Sequence, residues 1–89
     1  MISSPTQRFT EKQGQYLAFI HTYVLLNRQA PAEADFQRFF LVTPPAVHQM
    51  IITLERNGLI SRVPNQPRSI QLLVPTENLP TLQPIKPQR

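Results

Sequence analysis

The apolar residues between positions 33 and 52 constrain the fold most strongly, because their spacing suits two short helices that meet at a turn. The segment reads EADFQRFFLVTPPAVHQMII, with the turn expected at residues 41–43. Steps of three and four residues separate the positions that we expect to point inward, which are Phe36, Phe40, Val42, Val47, Met50 and Ile51. The segment that follows, LERNGLISRV, stops a helix at Gly58 and begins a strand. The order predicted is therefore helix, turn, helix and wing.

A preceding helix is predicted by the spacing of Thr10 and Gln13, which is that of an N-terminal capping box. An apolar stripe then runs to about Leu26 and is formed by Tyr16, Leu17, Ile20, Tyr23 and Val24. Phe19 and Leu26 make this stripe wider than one small core needs. Two interpretations are open: these side chains cover the rest of the domain, or Phe19, Tyr23 and Leu26 form the face of a homodimer.

Proline and capping residues set the limits of the two later helices. Pro31 prevents continuation of the first helix and precedes a second, expected from Ala32 or Glu33 to about Phe40. Thr43 suits an N-cap, and Pro44 suits the first position of a third helix, where its missing N–H is not needed. The third helix should therefore begin at Pro44 and end at residues 57–58.

Residues 59–63 and 69–74 are rich in branched apolar side chains and are separated by the turn sequence PNQP. This pattern predicts a β-hairpin. Residues 1–8 have no periodicity and are interpreted as a flexible arm, whereas 75–89 hold four prolines and are expected to form a Pro-rich extended tail. The domain itself is assigned to 9–74. The fold class predicted is mainly α with a small β-hairpin, a three-helix winged helix-turn-helix.

Composition excludes several other functions. The chain of 89 residues has no cysteine, only two glycines and two histidines, His21 and His48, without acidic residues at metal-ligand spacing. We therefore expect no metal, no cofactor and no enzymatic activity. The longest purely apolar run is five residues, 16–20, and the N-terminus does not resemble a signal peptide. We expect a cytoplasmic, nucleoid-associated protein without a membrane segment.

Positive charge is concentrated where the predicted motif would meet a phosphate backbone. The net charge is +4, and between Arg38 and Arg68 the basic side chains are Arg38, Arg56, Arg62 and Arg68, against the single acid Glu55. Basic residues clustered in this way favour binding to nucleic acid. Their position is more informative than the total charge, since many small proteins carry a similar excess.

A helix fits the major groove of B-DNA, so the outward side chains of the third helix are the candidate readers. Gln49 can pair with adenine, His48 can donate to guanine or to a phosphate, and Ala46 can pack on a thymine methyl group. The full set of candidate DNA-binding residues on the third helix and its cap is Thr43, Pro45, Ala46, His48, Gln49, Thr53 and Arg56. On the wing we expect phosphate contacts from Arg62, Asn65, Gln66 and Arg68.

These features resemble the N-terminal DNA-binding domain of LexA-type repressors and, more loosely, MarR-type winged helices. The resemblance covers about residues 9–74 and rests on the Thr-x-x-Gln box, the Thr-Pro start of the third helix, the helix end LERNGLISRV and the closing RSIQLL. Where the LexA pattern has a base-reading Asn after its Ser-Pro pair, this chain has Pro45, and it has Leu41 where helix-turn-helix sequences prefer Gly. The resemblance therefore implies the architecture and DNA binding without a target sequence.

The resemblance also implies a role, which we expect to be that of a small prokaryotic transcriptional regulator that binds double-stranded DNA sequence-specifically. LexA proteins continue into a self-cleaving protease domain, and no autocleavage is expected of this chain. The main alternative is a winged helix that serves as a protein–protein interaction or assembly module without DNA binding. A further alternative is binding of single-stranded nucleic acid. It is the weaker one, because Phe36, Phe39 and Phe40 occupy positions expected in the core and leave no aromatic platform on which bases could stack.

Overall fold

A computed structural model of the protein describes residues 8–85. Residues 1–7 of the predicted arm and 86–89 of the predicted tail lie outside the described part. Three helices are followed by a two-stranded antiparallel hairpin and a short 3-10 helix. The elements are α1 Glu11–Asn27, α2 Glu33–Phe40, α3 Pro44–Arg56, β1 Ile60–Ser61, β2 Gln71–Leu72 and the 3-10 helix Thr76–Asn78. This order confirms the winged helix-turn-helix prediction.

Local capping explains where the helices begin and end. The Thr10 hydroxyl accepts from the Gln13 amide at 3.1 Å, and the Gln13 side chain accepts from the Thr10 amide at 2.9 Å. This reciprocal pair satisfies backbone donors that a helix start otherwise leaves free. At the start of α3, the Thr43 hydroxyl accepts from the amide of Ala46 at 3.4 Å. Both predicted N-caps are confirmed, and Gly58 adopts the left-handed φ of 75° that ends α3.

The core is built around aromatic rings contributed by α1 and α2. Tyr16 stacks on Phe40 with ring centroids 4.2 Å apart, and Phe19 lies 5.0 Å from Phe36 and 4.9 Å from Phe39. Only 7% of Phe19 is exposed. The prediction that Phe19 belongs to an exposed dimer face is therefore wrong, because its ring fills the space between the first two helices. Burial also raises the pKa of the Tyr16 hydroxyl.

The strands are shorter than predicted. The ladder pairs Ile60 with Leu72 and Ser61 with Gln71, in place of the expected 59–63 and 69–74. Beyond it, the hydroxyl of Ser69 takes the role of a backbone partner and accepts from the Val63 amide at 2.9 Å. Its one proton is shared between the Gln66 carbonyl at 2.8 Å and the Val63 carbonyl at 3.2 Å. A side chain thus replaces the next rung of the ladder, so regular pairing stops although the hairpin remains closed.

The turn between α2 and α3 places a bulky residue in a left-handed conformation. Leu41 ends α2 with φ 56° and ψ 49°, and its side chain is 58% exposed. For a residue with a Cβ this conformation costs roughly 1–2 kcal/mol. The departure noted in the sequence, Leu in place of Gly, is therefore a strained position in this turn.

The Pro-rich segment runs back along α1. The Gln15 side chain donates to the Thr81 carbonyl at 3.0 Å and accepts from the Gln83 amide at 2.7 Å. Leu79 and Leu82 are half-buried against the core. A Cβ on Gly14 would lie 3.1 Å from the ring of Pro80. Residues 75–85 are thus extended for most of their length and also docked on the domain.

Candidate nucleic-acid interface

Helix α3 divides into a buried face and an exposed face. Val47, Ile51 and Leu54 are fully buried and fix the helix against the core. The predicted readers lie on the other side: the exposed residues at or near its N-terminal end are Thr43, Pro45, Ala46, His48 and Gln49, with half-buried Thr53 and exposed Arg56 further along. The structure therefore brings the predicted α3 residues together on one accessible face. In helix-turn-helix proteins, the N-terminal residues of the corresponding helix contact base edges in the major groove.

The N-terminal end of α3 is exposed and carries small or polar side chains. Thr43 caps the helix and Pro44 occupies its first position, as the sequence predicts. Pro45 and Ala46 add no bulk in front of the helix end. Pro44 and Pro45 have no N–H, and the next two amides donate to the hydroxyl and carbonyl of Thr43. This end therefore attracts a phosphate through the helix dipole and not through free amides.

Two of the polar side chains on α3 differ in what they already contact. His48 lies with Nδ1 3.3 Å from Oε2 of Glu33, at the start of α2. The backbone carbonyl of Gln49 accepts from the Thr53 hydroxyl at 2.9 Å, and its side-chain amide has no hydrogen bond within residues 8–85. The Gln49 side chain is therefore available to bind an external group. One ring nitrogen of His48 is already in contact with Glu33, an acid that the sequence analysis did not single out.

The tip of the wing is exposed and polar. Asn65 adopts a left-handed φ of 63°, and both Asn65 and Gln66 are exposed. The Gln66 carbonyl accepts from the Ser69 hydroxyl at 2.8 Å, which closes the tip. The side chains of Asn65 and Gln66 have no hydrogen bond among the described residues. They can thus reach a neighbouring molecule without breaking an internal contact.

The wing arginines are arranged differently from the sequence prediction. Arg62 Nε donates to Glu55 Oε1 at 3.0 Å and links the wing to the end of α3. Arg68 turns inward, and its terminal nitrogen lies 3.0 Å from the Tyr23 hydroxyl, 3.1 Å from the Ala30 carbonyl and 3.2 Å from Asp35 Oδ2. The prediction that both side chains are free phosphate clamps is not supported by these contacts.

Asp35 is the acid on which the internal arginine contacts converge. Its side chain is 6% exposed; it accepts from the Ala32 amide at 2.8 Å and pairs with Arg38 as well as Arg68. Burial alone would raise the pKa of Asp35, but the Ala32 amide and the two guanidinium groups outweigh it and hold the pKa below its usual value. The carboxylate is therefore charged at neutral pH.

The basic stretch thus has less free charge than its sequence indicates. Of its four arginines, Arg38, Arg62 and Arg68 pair with carboxylates, and only Arg56 has no ion pair within the described part of the chain. Asp35 lies just before the stretch and was missed for that reason. The spacing of Asp35 and Arg38, three residues apart on a helix, is the signal that could have identified one of these pairs.

Two further findings concern residues 8–85. They contain no group of three or more His, Cys, Asp or Glu side chains that could hold a metal ion. None of their helices is both long and apolar enough to cross a lipid bilayer.

The fold and the exposed end of α3 define a winged helix-turn-helix domain with the geometry of a major-groove reader. Comparison with known proteins identifies the family: the profile of the LexA DNA binding domain matches residues 6–69. The chain belongs to this family, as the resemblance in its sequence indicated. Part of the wing and the docked segment 75–85 lie beyond the matched region.

Curated relatives agree with this assignment. The LexA repressor of Thermosipho melanesiensis is 38% identical over 73 residues, which cover 82% of this chain and 37% of that protein. The LexA repressors of Thermosipho africanus and Thermotoga maritima are 34% and 32% identical, over 75% and 71% of the chain. The chain spans about a third of the length of these relatives, from 32% to 37%.

Proposed function

We propose that this chain is a sequence-specific double-stranded DNA-binding domain that acts in transcriptional regulation. The observation that carries the proposal is the exposed, capped N-terminal end of α3, in a chain that belongs to the LexA DNA-binding domain family. Its curated relatives are named repressors. The activity proposed for the described part is binding, not catalysis, and its expected place is the nucleoid.

Helix α3 would supply the direct reading of bases. Gln49 suits a bidentate contact with adenine, and Ala46 suits contact with a thymine methyl group. His48 would donate to guanine or to a phosphate, in competition with Glu33. The Thr43 hydroxyl would donate to a phosphate oxygen and fix how far α3 enters the groove. Pro45 and Thr53, which lie before and after these readers on α3, would contact the DNA surface beside them.

Phosphate contacts on the flanks would come from Arg56, Asn65 and Gln66, because these side chains have no internal partner among the described residues. Arg62 can contact a phosphate only if it does so while still paired with Glu55 or if that ion pair breaks. A footprint with so few free cations predicts moderate dependence on salt. If two phosphates are neutralised, log K falls with a slope of about 2 against log salt.

The experiment that tests this function is a fluorescence anisotropy titration of labelled duplex DNA with the purified chain at about 50 mM and 200 mM salt. We expect binding that weakens roughly tenfold over this range. Single-stranded DNA of the same sequence, as the matched control, should bind more weakly. Absence of binding to any duplex at low salt and micromolar protein contradicts the proposal.

A homodimer remains part of the proposal in a narrower form. With Phe19 in the core and Tyr23 bound to Arg68, Leu26 is the member of the original set that is most exposed, at 78%, and Leu25 beside it is 67% exposed. Two copies on related half-sites about one helical turn apart would increase specificity. Sedimentation of the wild type and Leu26→Glu tests this, since a wild type that stays monomeric at high concentration removes the dimer.

The same exposed leucines are the observation that favours the alternative, an interaction or assembly module. In that case α1 rather than α3 would carry the function. Leu26→Glu should then abolish association and leave DNA titrations unchanged. Loss of duplex binding in Gln49→Ala with normal association favours the DNA-binding function instead.

A further inference from the structure

The Arg68 side chain joins three separate parts of the domain. Arg68 itself lies in the wing with a left-handed φ of 59°, and its guanidinium group donates to the hydroxyl of Tyr23 on α1. The same nitrogen contacts the Ala30 carbonyl in the loop before α2 and the Asp35 carboxylate within α2. The guanidinium carbon also lies 5.9 Å from the centre of the Tyr23 ring. One side chain therefore connects the wing with both helices that do not enter the proposed groove.

The wing needs such an attachment because its own ladder is short. Each strand contributes two residues, Ile60–Ser61 and Gln71–Leu72. A hairpin of this size is marginal by itself, and its orientation depends on what it packs against. At its base, Ile60 and Ile70 are buried in the core. Closer to the tip, Val63 is 51% exposed, so apolar packing alone does not hold that part.

Asp35 is a suitable anchor for this contact. It is the buried charged side chain of the described part, and its Oδ2 also accepts from the Ala32 amide at 2.8 Å. A charge-assisted hydrogen bond to a carboxylate is stronger than a neutral one. The Tyr23 hydroxyl and the Asp35 carboxylate also raise the pKa of Arg68, in that order of effect. The guanidinium group is therefore charged at neutral pH.

We propose that Arg68 is a positioning residue that holds the wing at a fixed angle to α1 and α2 and does not itself bind a DNA phosphate. The proposal rests on the DNA-binding function above and refines it. It assigns the flanking contacts to the wing tip, at Asn65 and Gln66, and assigns to Arg68 the task of presenting that tip. Tyr23 and Asp35 are then part of the same attachment.

Salt dependence separates positioning from phosphate contact. Removing an arginine that binds a phosphate lowers the slope of log K against log salt by about 0.9. Removing a positioning arginine lowers affinity without that change. For Arg68→Ala we expect roughly a two- to tenfold loss of affinity, because a loosened wing must be ordered on binding, and an unchanged slope. Arg56→Ala, the matched control without an internal ion pair, should lower the slope.

A second measurement needs no DNA. Amide hydrogen exchange and 15N relaxation of the free chain should show faster exchange and larger motion at residues 62–69 in Arg68→Ala, with α3 unchanged. Tyr23→Phe removes only the hydroxyl and should move the same amides by a smaller amount. Tyr23→Phe also serves as the decisive variant if Arg68→Ala does not fold.

The outcomes are distinct. For Arg68→Ala, an unchanged slope of log K against log salt together with a mobile wing supports the proposal. A double variant, Arg68→Ala with Asp35→Asn, that binds as well as Arg68→Ala alone also supports it. A slope reduced by about 0.9 with a rigid wing overturns it and makes Arg68 a phosphate ligand. If the wild type binds no duplex, the proposed function fails, whereas the exchange and relaxation data still decide the role of Arg68.

Discussion

The N-terminal end of α3 and the wing differ in what their polar side chains already contact. On α3, the side chain of Gln49 has no internal partner in the described part of the chain, and the exposed Thr43 hydroxyl keeps its own proton to donate. On the wing, Arg62 is paired with Glu55, and Arg68 is bound to α1 and α2. A substitution in the first region should therefore change recognition, whereas one in the second should change the shape or stability of the domain.

The difference shows that a count of basic residues overestimates the charge available to a partner. The arginines of residues 38–68 indicated a continuous phosphate-binding surface. Three of them pair within the domain with two carboxylates, those of Asp35 and Glu55, so two of the four positive charges are compensated. Paired charges also contribute less to long-range attraction, since their fields partly cancel. Recognition by this domain then depends more on α3 and on the polar tip of the wing.

The largest expected effect is on stability and lies in the wing attachment. Asp35→Asn keeps an oxygen for the Ala32 amide but removes the negative charge that binds Arg38 and Arg68. We expect the free energy of unfolding to fall by about 1.5–3 kcal/mol at pH 7, the usual range for hydrogen bonds to charged groups. Urea unfolding followed by circular dichroism measures this. A change below about 0.5 kcal/mol would place Asp35 among ordinary surface residues.

The effect of this substitution should also depend on pH. The pKa of Asp35 is lowered in the folded state, so its stabilisation is present above the unfolded pKa of about 4 and is lost as pH falls through the folded pKa. The difference between wild type and Asp35→Asn should therefore shrink in unfolding measurements near pH 3. A difference that stays constant from pH 7 to pH 3 contradicts the lowered pKa.

The fold could be predicted from the sequence because its signals are local. Thr10 with Gln13, Thr43 with Pro44, and Gly58 each act within one turn of a helix, and spacing alone reveals them. The ion-pair partners of Arg68 could not be found in this way, because they are not local in the sequence. Arg68 and Asp35 are 33 residues apart in the chain, so only the packing of the wing on α2 brings them together. The site residues of α3 were accessible to pattern reasoning, and the contacts of the wing were not.

Within α3, the expected effect is on binding alone. Gln49→Ala should weaken binding to a preferred duplex by about 1–3 kcal/mol and leave binding to random DNA nearly unchanged. Its free energy of unfolding should change by less than about 0.5 kcal/mol, since the side chain is exposed. Gln29→Ala, an exposed glutamine in the loop after α1, is the matched control. Equal losses on both kinds of DNA would remove Gln49 from the readers.

The smallest effect concerns the turn that joins the two helices of the motif. Leu41→Gly should raise the free energy of unfolding by up to about 1 kcal/mol, because glycine adopts a left-handed φ without a clash of its Cβ. Thermal unfolding by calorimetry measures the gain, and duplex affinity should not change. A loss of stability would show that the half-exposed Leu41 side chain contributes packing that exceeds the strain of its backbone.

The most direct test of the contrast between the two regions is an NMR titration of the 15N-labelled chain with a duplex that it has selected from random sequence. We expect the largest shifts at the amides of residues 46–49 and at 65–66, while the Arg68 side-chain Nε–H signal stays in place. Large shifts of that signal, or shifts confined to the exposed end of α1, would contradict the account.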